Sequence, residues 1–263
     1  MSTKKIGLVL SGGGYKGIAH AGALQFLKEQ NITPSVIAGT SSGSIVSCLY
    51  ACGMNPEEIF DFFKSVNIFD WHHFTFKKAG LINVNAFDKY LYKVFQDKTL
   101  ADLSVPVYIN ATNIATGKLH FFDPSTKVVD AILASSAFPG IFSPYEIDNT
   151  LYSDGGIINN FPTHILKNKC DYMIGINVSP LLTIEPHKLN SIRSVATRAY
   201  ELITAIHNIP QAALCDWLIE PEKLAEYSIF ERNKKKLSKI FELGYQTAKE
   251  SYTSKYNFEK AVL

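Results

Sequence analysis

Gly39-Thr40-Ser41-Ser42-Gly43 lies between two apolar runs, Val36-Ile37-Ala38 and Ile45-Val46-Ser47-Cys48-Leu49. The order is that of a short buried strand, a sharp turn and the first turn of an apolar helix. A serine between two glycines at such a turn has the pattern of a nucleophile elbow. The reason is steric. The turn forces the serine backbone into a strained conformation, and a glycine two residues to either side lets strand and helix pass without Cβ clashes. The hydroxyl then stands over the sheet edge at a helix N-terminus, where backbone N–H groups face developing negative charge.

Upstream, Ile6-Gly7-Leu8-Val9-Leu10 is a continuous apolar run of the kind buried on both faces of a parallel sheet. It ends in Ser11-Gly12-Gly13-Gly14-Tyr15-Lys16-Gly17, and a helix is predicted through Glu29, with Ile18, Ala21, Leu24 and Leu27 on its inner face. Strand, helix and strand make a right-handed βαβ unit. The glycine turn and the serine turn therefore emerge at the same C-terminal sheet edge, where ligands bind in open α/β folds. A turn so rich in glycine exposes N–H groups that can converge on an anion beside Ser41. Gly12, Gly14 and Gly17 also match the G-x-G-x-x-G dinucleotide fingerprint. That fingerprint wants an acidic residue at the end of the second strand, and here the serine turn takes its place. A phosphate-cradling P-loop is excluded, because no Gly-Lys-Ser/Thr follows the glycines.

Length and composition fit this reading. A chain of 263 residues, 46% hydrophobic and 19% charged, is expected to form one α/β domain over residues 1–263. A formal charge of +2 is too small to argue for nucleic acid. Cys48, Cys52, Cys170 and Cys215 show no metal-ligand spacing, so neither a metal nor a disulfide framework is expected. Met1-Ser2-Thr3-Lys4-Lys5 runs straight into the first strand, and no apolar run has the length of a membrane span. A cytoplasmic protein is the expectation.

Further along, Asn55-Pro56 and Glu58 carry a helix start with a capping box, and Ile59, Phe62, Phe63 and Val66 face inward. Residues 68–81 are aromatic, with Phe69, Trp71, Phe74 and Phe76 followed by Lys77-Lys78. They read as packing under a loop, or as an apolar lip for an acyl chain or a membrane surface. His72-His73 has no ligand partner at metal spacing. Further elements are a helix from about Asn85, a strand over Val105–Thr112, an edge strand over Lys118–Phe122 and a helix over Val128–Ala137. A strand over Asp171–Val178, an amphipathic helix over Leu189–His207, a strand at Trp217–Ile219 and a helix from about Phe230 complete the chain.

The second chemical landmark is Leu151-Tyr152-Ser153-Asp154-Gly155-Gly156. An aspartate at a strand end, with two glycines removing bulk beside it, can be set against a serine hydroxyl. A plain Asp-Gly turn is the alternative. A serine nucleophile needs a base and oxyanion donors. The histidines after Asp154 are His164, His187 and His207, and none sits in a glycine-flanked loop; His164 is the nearest to a candidate.

Gly12-Gly13-Gly14-Tyr15-Lys16-Gly17, Gly39-Thr40-Ser41-Ser42-Gly43 and Asp154-Gly155-Gly156 together resemble the three signature motifs of the patatin-like phospholipases, in order and spacing. Ala134-Ser135-Ser136-Ala137-Phe138-Pro139, with Phe142 and Pro144 after it, is similar to the family segment before the aspartate. The resemblance covers roughly residues 6–180. It implies a three-layer α/β/α sandwich with a mostly parallel central sheet. It also implies a Ser–Asp dyad, with Ser41 as nucleophile and Asp154 as its base, and no metal or other cofactor. Oxyanion donors would come from Gly12, Gly13 and Gly14, chiefly the latter two, and from Ser42. Lys16, Gly17, Gly39, Gly43, Gly155 and Gly156 would support the motifs. Lys16 stands where the family usually has arginine, keeping the charge but losing the bidentate fork.

The implied activity is hydrolysis of fatty-acyl esters of phospholipids or lysophospholipids, with the lipid ester as partner and peripheral contact with a membrane allowed. Acyl transfer through the same acyl-serine, or a non-catalytic lipid- or dinucleotide-binding module, are the rival functions. A free aspartate, with a pKa of about 3.9, is a weak base; burial beside Gly155 and Gly156 would raise it.

Overall fold

The computed structural model describes residues 4–66, 87–181 and 183–255. The aromatic stretch 68–81, with His72 and His73, lies outside them.

Eight strands form one mixed sheet around β1 (Ile6–Leu10), all five of whose residues are buried. β1 pairs in parallel with β2 (Val36–Gly39) on one side and β7 (Tyr172–Ile176) on the other. β8 (Trp217–Ile219) adds in parallel to β7. The first half of β3 (Val107–Asn113) is parallel to β2, and its second half pairs antiparallel with β4 (Lys118–Phe121) and β6 (Thr150–Asp154). β5 (Tyr145–Ile147) closes that end as an antiparallel partner of β6. The parallel centre agrees with the uniformly apolar strands, and the antiparallel end with the short, half-exposed ones.

Side-chain alternation separates two cores. Leu8, Leu10, Ile37, Ile109, Ile174 and Ile176 belong to the larger one. Its helices are α1 (Ile18–Glu29), α2 (Ser42–Ala51), α3 (Pro56–Ser65), α4 (Asp88–Phe95), α5 (Val128–Ser135) and α7 (Lys234–Lys255). Val9, Val36, Ala38 and Met173 face the other way, onto Phe161, Leu166 and Ala212, which ends α6 (Ile192–Ala212). With helices on both sides the architecture is a three-layer α/β/α sandwich.

Local chemistry explains several boundaries. Asn55 Oδ1 accepts from the Glu57 and Glu58 N–H groups at 3.0 Å each, and Glu58 returns a bond to the Asn55 N–H, the capping box read from the sequence. α1 and α7 touch backbone to backbone: a Cβ on Gly22 would meet the Phe241 carbonyl, and one on Gly244 the Ala19 carbonyl. The amphipathic helix expected over residues 189–207 is present as α6, but where such a helix normally buries its apolar face, α6 turns much of it outward, leaving Ile192 91% and Ile206 66% exposed.

Candidate active site

Ser41 caps α2 with φ 52° and ψ −122°, a left-handed backbone that costs a non-glycine residue on the order of 1–3 kcal/mol. The surroundings hold it there. The Ser41 N–H donates to Ser135 Oγ at 2.8 Å, and the Ser44 N–H and hydroxyl donate to the Ser41 carbonyl at 2.9 and 2.6 Å. Thr40 Oγ1 is 2.6 Å from Asn110 Oδ1, and Asn110 Nδ2 donates to the Asn159 carbonyl at 2.8 Å. These bonds lock the end of β2 to β3 and to the segment after Asp154. A Cβ at Gly43 would meet the Leu10 carbonyl, so α2 starts close against the end of β1 only because that position is bare.

Asp154 ends β6 and is 1% exposed. Its backbone is held from both sides: its N–H donates to the Ala137 carbonyl at 3.0 Å, and Thr112 Oγ1 donates to its carbonyl at 3.0 Å. The carboxylate receives the Ser41 hydroxyl on Oδ2 at 2.8 Å, and on Oδ1 the Gly156 N–H at 2.7 Å and the Tyr200 hydroxyl at 3.4 Å. Burial raises its pKa to about 6, against the smaller lowering effects of Gly156, Ser41 and Tyr200. The same burial, with the neighbouring carboxylate, pushes the Tyr200 hydroxyl well above its ordinary value, so it stays a donor. Among the described residues no histidine reaches this carboxylate; His164 Nδ1 instead accepts from Asn159 Nδ2 at 3.0 Å.

The glycine loop is pinned through its other groups. The Ser11 carbonyl accepts from His20 Nε2 at 2.8 Å, and Ser11 Oγ accepts from the Val178 N–H at 2.9 Å. His20 is fully buried, which drops its pKa to about 4 and keeps the ring neutral. Ser179 Oγ donates to the Gly12 carbonyl at 2.6 Å, and the Tyr15 N–H donates to the Ile229 carbonyl at 2.9 Å. Gly14 has φ +59°, and a Cβ there would strike that same Ile229 carbonyl. The N–H groups of Gly13, Gly14 and Ser42 have no hydrogen-bond partner among the described residues. Gly12 departs from the expectation: its N–H is spent on the Asn160 carbonyl at 3.1 Å, so it is not a free donor.

The remaining motif residues act as spacers and supports. Gly17 abuts Ser42, Gly39 abuts Gly43, Gly155 abuts Asn110, and Gly156 lies under the Tyr200 hydroxyl. Lys16 is buried, and burial lowers its pKa, with Glu201 opposing and Arg198 adding to the shift. Arg198 and Glu201 pair with each other at 3.2 Å. Lys16 is not among the described residues of the pocket wall.

That pocket opens over Ser41, Asp154, Gly13, Gly14 and Ser42 and encloses about 110 Å³, several times what one water needs. Its walls are mostly carbon, from Ile45, Phe62, Phe63, Phe138, Phe142, Ile229 and Phe230 among others. Tyr200 packs at a tilt against Phe138, with ring centroids 4.5 Å apart, joining the carboxylate's partner to the apolar wall. Tyr200 and Ser135 are the site residues that sequence reasoning missed. Ser135 stood inside a motif but with no role attached, and Tyr200 lies on a helix with no motif at all.

Fold and site together define a three-layer α/β protein built around a strained serine, a buried carboxylate bonded to its hydroxyl and an apolar pocket. A family model for patatin-like phospholipases matches residues 8–167, and the chain belongs to that family. Among curated proteins it is similar to lysophospholipase NTE1 of Saccharomyces cerevisiae, 32% identical over 68% of this chain and 11% of that protein. A patatin-like phospholipase domain-containing protein of Caenorhabditis elegans is 25% identical over 94% of this chain and 20% of that protein. The chain thus spans about a tenth of the yeast relative's length. Among solved structures, VipD of Legionella pneumophila superposes with a TM-score of 0.63 at 14% identity, covering 96% of this chain and 67% of that one, which shows the shared fold.

Proposed function

We propose that the chain is a serine acyl hydrolase, a single domain that cleaves fatty-acyl esters of phospholipids or lysophospholipids through an acyl-Ser41 intermediate. The observation that carries this reading is the 2.8 Å bond from the Ser41 hydroxyl to Asp154 Oδ2, beneath unpartnered N–H groups and beside an apolar pocket. The acyl chain lies against the aromatic wall, and the ester carbonyl oxygen points at the N–H groups of Gly13, Gly14 and Ser42. Ser41 Oγ attacks the carbonyl carbon while its proton passes to Asp154 Oδ2. The tetrahedral oxyanion then collapses, and the leaving alkoxide takes that proton from Asp154 as the C–O bond breaks. A water attacks acyl-Ser41, gives a proton to Asp154, and the fatty acid leaves as Ser41 Oγ is reprotonated.

A carboxylate with a pKa of about 6 is ionised at neutral pH and is a better base than a free aspartate. Tyr200 and the Gly156 N–H orient it and leave Oδ2 for the serine.

Incubation with a lysophosphatidylcholine, with products separated by mass spectrometry, tests this. Wild-type protein should release free fatty acid and Ser41→Ala none. With glycerol added, an acylated glycerol as the main product would make the protein a transferase instead, and no product from folded wild-type protein would reject both.

A further inference from the structure

α6 is inside out. At 3.6 residues per turn, Ile192, Val195, Leu202, Ile203, Ile206 and Ile209 fall within one arc of about 120°. This arc faces solvent, with Ile192 91%, Ile209 71% and Ile203 50% exposed. The opposite face, directed into the protein, is polar: Thr204 and Asn208 are buried, and Tyr200 reaches Asp154. A soluble helix normally does the reverse. A contiguous exposed apolar face of this size marks a binding surface.

Two features choose its occupant. The first is charge. The outer arc carries no charged residue, and residues 187–214 hold three cations (Lys188, Arg193 and Arg198) against one acid (Glu201). An apolar face on a segment of net positive formal charge suits a helix lying in a membrane interface, attracted by anionic headgroups. A paired helix from a second copy would use a narrower seam with opposite charges along its edges. The second is continuity with the site. Glu201 and Thr204 of this helix line the pocket over Ser41, and Tyr200 touches both Asp154 and Phe138. Among the described residues no helix is long and apolar enough to cross a membrane, so contact through α6 is with the surface of a bilayer.

We propose that the outward face of α6 docks the protein on a bilayer containing anionic lipid, seating the pocket at the headgroup level. The substrate side of this inference rests on the acyl-hydrolase reading; the docking itself does not. In this pose the polar face stays on the protein, the isoleucines enter the headgroup–acyl boundary, and a lipid acyl chain has a short path into the pocket.

The test is flotation with vesicles of phosphatidylcholine and phosphatidylglycerol, wild type against I203E/I206E, with p-nitrophenyl butyrate hydrolysis in the same samples. Neither substituted residue lines the pocket. Wild-type protein should float with the mixed vesicles and less with phosphatidylcholine alone. The double variant should bind about 100-fold more weakly, roughly tenfold per isoleucine withdrawn, with hydrolysis of the soluble ester unchanged. Ile206→Ser alone should show the same direction should the double variant misfold. Wild-type protein that stays in the soluble fraction, or a folded variant that floats as well as wild type, would overturn the proposal. So would a wild-type dimer in sedimentation velocity that I203E/I206E converts to monomer with vesicle binding intact. Flotation without ester hydrolysis in the wild type would sink the acyl-hydrolase reading and leave the docking surface standing.

Discussion

Replacing Asp154 with asparagine should raise the stability of the fold at neutral pH while removing turnover. The carboxyl has a pKa of about 6 when folded, against 3.8 for the free side chain, because burial disfavours the charge. Below both values it is protonated in both states and has no effect on folding. Between them the folded state holds the proton more tightly, so stability falls as pH rises, by about 1.4 kcal/mol per unit. Over about two units the accumulated cost is about 3 kcal/mol, and it persists at every higher pH. Asparagine keeps an acceptor for the Gly156 N–H and can donate to Ser41 Oγ, so most of the local bonds survive while the buried charge goes. At about 2–4 °C per kcal/mol for a chain of this size, Asp154→Asn should melt roughly 6–12 °C above wild type at pH 7.5. The gap should close as the pH falls toward 4. Thermal melts of both proteins from pH 4.5 to 8 read this directly. A variant that melts at or below wild type at pH 7.5, or a gap that does not depend on pH, would refute the reasoning.

Two further outcomes follow from single contacts. Tyr200→Phe removes a hydrogen bond that favours the ionised carboxylate, so the acidic limb of the kcat/KM profile should move to higher pH; an unmoved limb would mean that Tyr200 only packs. Asn55→Ala deletes the capping box of α3 and should cost about 1 kcal/mol in urea unfolding, with hydrolysis of a soluble ester unchanged.

The sequence was most informative where the chemistry is local. β1, the glycine loop, β2 and the Ser41 turn follow from apolar runs broken by glycines, and the Asn55 capping box from residues three apart. What was not legible depends on partners brought in from far along the chain. The Gly12 N–H stood among the expected oxyanion donors, but the carbonyl of Asn160, 148 residues later, accepts it. Tyr200 comes from a helix without a motif and meets Asp154 only because α6 packs its polar side inward. The periodicity of α6 was evident, yet amphipathicity fixes only that a helix has two faces. Which face is covered depends on whether the site beneath it needs polar groups.

The central claim is that Ser41 is a nucleophile activated by Asp154. Labelling with a fluorophosphonate, followed by peptide mass spectrometry, tests it most directly. The adduct should map to Ser41, be absent in Ser41→Ala, and form far more slowly in Asp154→Asn at pH 7.5. An adduct on another residue, or none on folded wild-type protein, would contradict the account.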